Sequence, residues 1–208
     1  AMPEQNGELH QSYVEALAKA QKTLDYARGS GRYPLTGKGD VNTYMLFAEL
    51  ARSIVAPAGI VGLLVPSGIA TDDTTKEFFA ALMDGKSLVS LYDFENKEGH
   101  FEDVHRSFKF TALVFGGTGR KTERADFVFF ARGVEEVAAT NKKRHIPLTA
   151  ADMKLFNPNT RTCPIFRTRR DAELTKAIYR RVPILVDEGR TAGGTPWGVR
   201  FVRMFDQT

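Results

Sequence analysis

The stretch IVGLLVPSGIATDDTTKEFFAALMDGKSLVSLYDF, residues 60–94, decides the fold. Ile60 to Val65 is a near-continuous apolar run, the pattern of a strand buried on both faces, and Pro66-Ser67-Gly68 breaks it. Asp72 and Asp73 stand before a helix carrying Phe78, Phe79 and Leu82, and Gly85 closes it. Leu88 to Phe94 reads as a second strand. A strand, a crossover helix and a strand make a right-handed parallel unit. Polar residues 95–107 then lead into a third strand, Phe108 to Phe115. So short a segment cannot hold a packed crossover helix, so the third strand is expected to run antiparallel to its predecessor.

Upstream, Leu9, Tyr13, Leu17, Ala20, Leu24 and Ala27 step by three and four, which predicts an amphipathic helix ending at Gly29-Ser30-Gly31. Residues 32–39 are loop by composition. Asp40 is placed to cap a second helix with Val41, Tyr44, Phe47, Leu50 and Ile54 on its apolar face. Pro57 and Gly59 stop it. Downstream, Gly116-Gly117-Thr118-Gly119 reads as a hairpin connection into a strand over Asp126–Ala131. Thr149, with Asp152 three residues on, predicts a capping box for a short helix through Phe156. Asp171–Val182 predicts a further helix, and Gly198–Phe205 a last apolar segment.

Composition narrows the function. The net charge of +4 hides an asymmetry: residues 1–104 carry 9 Lys/Arg against 15 Asp/Glu, residues 105–208 carry 20 against 10. A basic half beside an acidic one suggests that one face meets a polyanion. No apolar run reaches the roughly 18 residues of a membrane span. The single cysteine, Cys163, excludes an internal disulfide and suits a reducing, cytoplasmic setting. The four histidines lack ligand spacing, so no metal site is expected. The glycines at 116–119 do not match a phosphate-binding loop, Gly37-Lys38-Gly39 follows no buried strand, and Ser67 lacks the glycine spacing of a nucleophile elbow. No self-contained catalytic set is present.

Gly39-Asp40-Val41-Asn42-Thr43-Tyr44-Met45-Leu46-Phe47-Ala48-Glu49-Leu50 leads through Ala56-Pro57-Ala58-Gly59 into Ile60-Val61-Gly62-Leu63-Leu64-Val65-Pro66-Ser67. This resembles the adenine-N6 DNA methyltransferase family of restriction–modification and phage-defence systems, with the match covering residues 36–115. There an aromatic-bearing helix leads through a Pro-Gly turn to a buried strand ending in Val-Pro. Residues 149–182, with Asn157-Pro158-Asn159-Thr160-Arg161-Thr162-Cys163-Pro164-Ile165-Phe166, resemble the connector that such enzymes place before a target-recognition region.

The resemblance implies an α/β fold: part of a Rossmann-like methyltransferase layer, a parallel strand–helix–strand plus a reversed strand, with an irregular basic C-terminal extension. It divides the chain into a helical lead-in (1–35), the C-terminal half of a catalytic domain (36–132) and a connector (133–208). Family members flip adenine out of double-stranded DNA and methylate it from S-adenosyl-L-methionine. The family's glycine loop for that donor is absent here, as is its [DNS]-P-P-aromatic tetrapeptide; Asn157-Pro158-Asn159-Thr160 lacks the second proline and the aromatic. Both are expected in a missing N-terminal part of the same polypeptide. The Ala1-Met2 start and the final apolar segment at the terminus prompt the same expectation of an excised segment, inactive alone, with no catalytic residue of its own.

What remains is the target-base side of the pocket. Phe47 matches the family's aromatic beside the donor's adenosine; a core residue on the helix is the competing reading. Phe101, among Glu98, His100, Glu102 and Asp103, matches the aromatic that stacks on the flipped base. Phe108, Phe110 and Phe115 read as packing. Arg161, Arg167, Arg169 and Arg170 are candidate phosphate contacts. The alternatives are a non-catalytic DNA-binding or specificity module of the same shape, and an α/β enzyme acting on small molecules.

Overall fold

The computed structural model describes residues 6–189 and 195–199. The chain divides into two compact units, residues 1–54 and 55–208.

In the first unit, α1 (Gly7–Gly29) is capped by the Asn6 side chain, which accepts from the Leu9 N–H at 3.3 Å. Its apolar stripe is uncovered: Leu9, Tyr13 and Leu17 are exposed and Ala27 alone is buried. The second helix, α2 (Thr43–Ile54), starts after Asn42, not Asp40. Its buried face is Met45, Ala48 and Glu49, whereas Phe47 and Ile54 face outward. The shift follows from one buried charge. Glu49 accepts from the Thr36 hydroxyl at 2.6 Å, the Thr36 N–H at 2.8 Å and the Leu35 N–H at 3.0 Å. Satisfying that carboxylate turns its face inward and clamps the 32–39 loop. A side chain at Gly37 would meet the Ala27 and Tyr33 carbonyls at 2.4 and 2.7 Å, so the loop closes on itself.

The second unit is a five-stranded mixed sheet with helices. Its elements are β1 (Ile60–Pro66), α3 (Gly68–Thr71), a 3-10 turn (Asp73–Thr75), α4 (Lys76–Asp84), β2 (Leu88–Glu95), β3 (Lys109–Gly116), β4 (Ala125–Ala131), β5 (Ile146–Leu148), α5 (Ala150–Phe156) and α6 (Arg169–Arg181). The order is β1-β3-β2-β4-β5. The third strand is antiparallel to both β1 and β2, and β4 runs parallel to β2. The expected α/β class and the reversed strand are both present.

Several expectations are corrected. The parallel strands β1 and β2 are not neighbours; β3 fills the gap that the α3–α4 crossover leaves between them. The first strand is not buried on both faces. It pairs only with β3 among the described residues, and Ile60 and Leu64 are exposed. Pro66, with no N–H, fits such an edge. The helix expected after Asp72 and Asp73 is present as α4, with Phe78, Phe79 and Leu82 buried and Gly85 at its end; a short α3 precedes the two aspartates, and neither of them caps a helix by its side chain. Residues 117–124 form no hairpin, because β2 lies between β3 and β4. Their glycines serve close approach instead: a side chain at Gly117 would stand 2.0 Å from the Ala56 carbonyl. The expectation over Gly198–Phe205 falls outside the described residues from position 200 on.

The core lies under α4. Phe78 and Phe115 meet edge to face at 6.4 Å, and Phe79, Leu82, Leu88, Leu113 and Phe127 are fully buried around them. The expected capping box at Thr149 and Asp152 is formed, and α6 starts with another, Thr168 with Asp171. Lys176 reaches back to Asp152 at 3.0 Å and joins α6 to α5. No described helix is long and apolar enough to cross a membrane.

Burial alone would raise the Asp152 carboxyl, but the Thr149 N–H and hydroxyl and the Lys176 ammonium hold it below the usual range. Its stabilising contribution is therefore complete above the unfolded value near pH 4 and is lost as pH falls through the lower folded value. Asp152→Ala is expected to cost roughly 1–2 kcal/mol at pH 7, measured by urea unfolding, and progressively less as the medium is acidified below the unfolded value.

Candidate nucleic-acid interface

Strands β1, β2 and β4 point the same way, so their carboxyl ends share one edge of the sheet, where α/β folds place ligands. Asp93 organises this edge. Its buried carboxylate accepts from the Ser67 hydroxyl, just past β1, and from the Phe130 N–H in β4 at 3.4 Å; the Lys109 ammonium, opening β3, lies 3.7 Å away. One side chain thus ties four strand ends. The adjoining cavity, lined in part by Ser67, Asp93, Lys109 and Cys163, is about 60 Å³ and too small for a base. Burial, helped by the Asp93 charge, pushes the Cys163 thiol well up, so it packs as an inert group.

Phe130 adopts the left-handed conformation, with φ 57°. For a bulky residue that costs roughly 1–3 kcal/mol and marks strained sites with a task. Its ring carries two cations: Lys109 Nζ lies 4.2 Å and the Arg167 guanidinium 4.9 Å from the centroid.

Phe101 stands in the loop after β2. The buried Asn96 holds it, accepting from the Phe101 N–H at 3.0 Å and donating to the Phe101 and Val104 carbonyls at 3.0 and 2.8 Å. The ring leans edge-on against Phe110 at 4.9 Å and remains 40% exposed. His100 packs edge-on against Phe94 and Phe110, and its Nε2 lies 2.5 Å from the Arg132 carbonyl oxygen. The loop is a fixed ledge with one aromatic surface open. Asn96 and Arg132 escaped sequence reasoning because a buried asparagine within a polar run looks like any loop residue. Of the three phenylalanines read as packing, Phe115 is fully buried and Phe110 half-buried, but Phe108 is exposed.

The arginines divide. Arg161 is paired with Asp84 at the end of α4, on the amino side of the sheet and away from this edge. Arg167 sits on Phe130 at the edge itself. Arg169 and Arg170 open α6, where the helix dipole opposes positive charge; helix stability does not explain them. Arg169 also lines a second polar cluster, in which Asp126 accepts from the Tyr92 hydroxyl at 2.8 Å and meets His145 Nδ1 at 2.5 Å. Burial, with the Asp126 hydrogen bond and charge, pushes the Tyr92 phenol up to about 12.

No protein-family model and no curated protein matches the chain. Among solved structures, the methyltransferase subunit of a type I restriction–modification system from Streptococcus thermophilus is similar at a TM-score of 0.48, with 14% identity over 65% of this chain and 34% of that one. An ATP-dependent type ISP restriction–modification enzyme bound to DNA is similar at 0.34, with 10% identity over 52% of this chain and 8% of that one. The chain spans about a third of the length of the first.

Proposed function

We propose that this chain forms the target-base wall of an adenine-N6 DNA methyltransferase, in which the extruded adenine stacks on Phe101. The observation that carries this reading is the ledge: an aromatic ring half open to solvent, on a backbone pinned by Asn96, in the loop that follows the carboxyl end of β2. A rigid ring offers stacking area without an ordering cost, and base–aromatic stacking contributes roughly 1–3 kcal/mol. Arg167, Arg169 and Arg170 supply positive charge for the DNA backbone; Arg161, engaged with Asp84, contributes less.

In this reading S-adenosyl-L-methionine is the methyl donor, and Phe47, exposed on α2, offers its ring to the adenosine. The described residues do not themselves form a donor cradle. The only glycine-rich loop near Phe47 in sequence is closed on Glu49 and has no room at Gly37. No step of methyl transfer is therefore assigned to them. The donor loop and the amino-binding tetrapeptide are proposed to come from an N-terminal part of the same polypeptide.

DNA binding by the chain is expected to be weak, insensitive to sequence and steeply dependent on salt, because phosphate contacts release counterions. Removing the charges of Arg167, Arg169 and Arg170 together is expected to flatten the log–log salt slope by about 2–3, since each duplex contact contributes about 0.9. Fluorescence anisotropy across a salt series measures it. An unchanged slope would assign those arginines to the solvated surface.

A further inference from the structure

Between the carboxyl ends of β2 and β4 lies a second cavity, of about 380 Å³, with a polar lining. Four cations, Lys97, Arg132, Arg144 and Arg167, line it against two carboxylates, Glu95 and Glu136. Glu95 meets Lys97 at 2.9 Å and Arg132 at 3.5 Å, while Glu136 meets Arg144 at 3.0 Å and accepts from the Arg132 N–H at 2.8 Å. Lys97 holds the Glu95 carboxyl below its usual range. Two positive charges are left over. The Arg144 guanidinium is fixed in the wall by Nη2, which donates to the Phe129 carbonyl at 2.8 Å and meets Glu136, while its Nε is buried without a hydrogen-bond partner among the described residues. Arg167 rests on the ring of Phe130, and both residues form part of the wall.

The cavity and the Phe101 ledge share one frame. The Arg132 carbonyl lies against His100 Nε2, and Arg106 Nη1 donates to the Lys97 carbonyl at 2.8 Å. We propose that this cavity seats one backbone phosphate of the bound nucleic acid, adjacent to the nucleotide whose base stacks on Phe101. The inference rests on the function proposed above. Forked guanidinium donors match phosphate oxygens. The surplus charge suits a monoanionic phosphodiester, and the volume leaves room for the attached sugar.

The test uses the full 208-residue chain, a fluorescein-labelled single-stranded nonamer and anisotropy across a salt series. Arg132→Gln and Arg167→Gln are each expected to weaken binding about 5- to 10-fold. The double variant is expected to flatten the salt slope by about 0.7, the value for one single-strand phosphate. In a nonamer whose residues are abasic except for one adenine, which fixes the register, replacing the phosphodiesters one at a time with uncharged methylphosphonate, a scan that needs no variant, is expected to find one linkage whose neutralisation weakens wild-type binding and leaves the double variant unaffected. If no single linkage matters and inorganic phosphate binds the wild type but not the double variant, the cavity takes free phosphate and the proposal falls. It falls also if affinity and slope are unchanged in both variants. The two readings separate through Phe101→Ala: weakened binding there with silent arginine variants leaves stacking standing and removes the seat. The reverse pattern keeps the phosphate seat and removes the stacked base.

Discussion

Phe115→Ala is expected to destabilise the second unit by about 3–5 kcal/mol, the cost of emptying a buried phenylalanine site. Phe115 is fully buried and meets Phe78 of α4 edge to face, so truncation removes the aromatic contact as well as the ring's burial. The expected fall in melting temperature is on the order of 10 °C. The size of the effect tests the topology, because β3 is the strand placed between β1 and β2. A strand at the sheet's edge would tolerate the change far better. Phe108→Ala, just before the same strand and exposed, is the matched control and is expected to leave stability nearly unchanged. A loss below about 1 kcal/mol at Phe115 would be incompatible with the central placement of β3.

Phe101→Ala is expected to act in the opposite sense, on binding rather than folding. Loss of a stacked base removes roughly 1–3 kcal/mol, which weakens oligonucleotide binding about 5- to 150-fold. Phe101→Trp is expected to retain most of the affinity, since any flat π-face can stack. The stability cost of Phe101→Ala is expected to stay near 1 kcal/mol, the scale of its edge-on contact with Phe110. In a methyltransferase reconstituted around this chain, slower methyl incorporation should accompany the loss, because a poorly held base is seldom aligned. A large fall in melting temperature with unchanged affinity would return Phe101 to the core.

How far the sequence carries the fold depends on the range of the forces involved. The helices Gly7–Gly29 and Ala150–Phe156 are legible because their signals, apolar periodicity and a Thr149–Asp152 capping box, act within a few residues. The reversal of β3 is legible because 95–107 is too short to hold a packed crossover helix. Its insertion between β1 and β2 is not, since strand order is set by tertiary competition for pairing. The run Ile60–Val65 looks doubly buried, yet strand composition alone does not report the edge position that exposes Ile60 and Leu64. On α2, periodicity selects Phe47 as the inward face, but the loop's need for a carboxylate at Glu49 turns the helix the other way. Phe101 stands out in sequence as an aromatic among acids. The groups that hold it and build the basic cavity, Asn96, Phe110, Arg132 and Phe130, come from separate segments that only the folded sheet edge brings together.

The most direct measurement of the base-stacking claim is photochemical. An oligonucleotide carrying 5-iodouracil is bound to the chain, irradiated, and the cross-linked tryptic peptide is sequenced by mass spectrometry. The account predicts attachment within residues 98–106, at Phe101, and its disappearance in Phe101→Ala. Attachment at Phe108 or Phe47, or a cross-link in 98–106 that persists in the alanine variant, would contradict it.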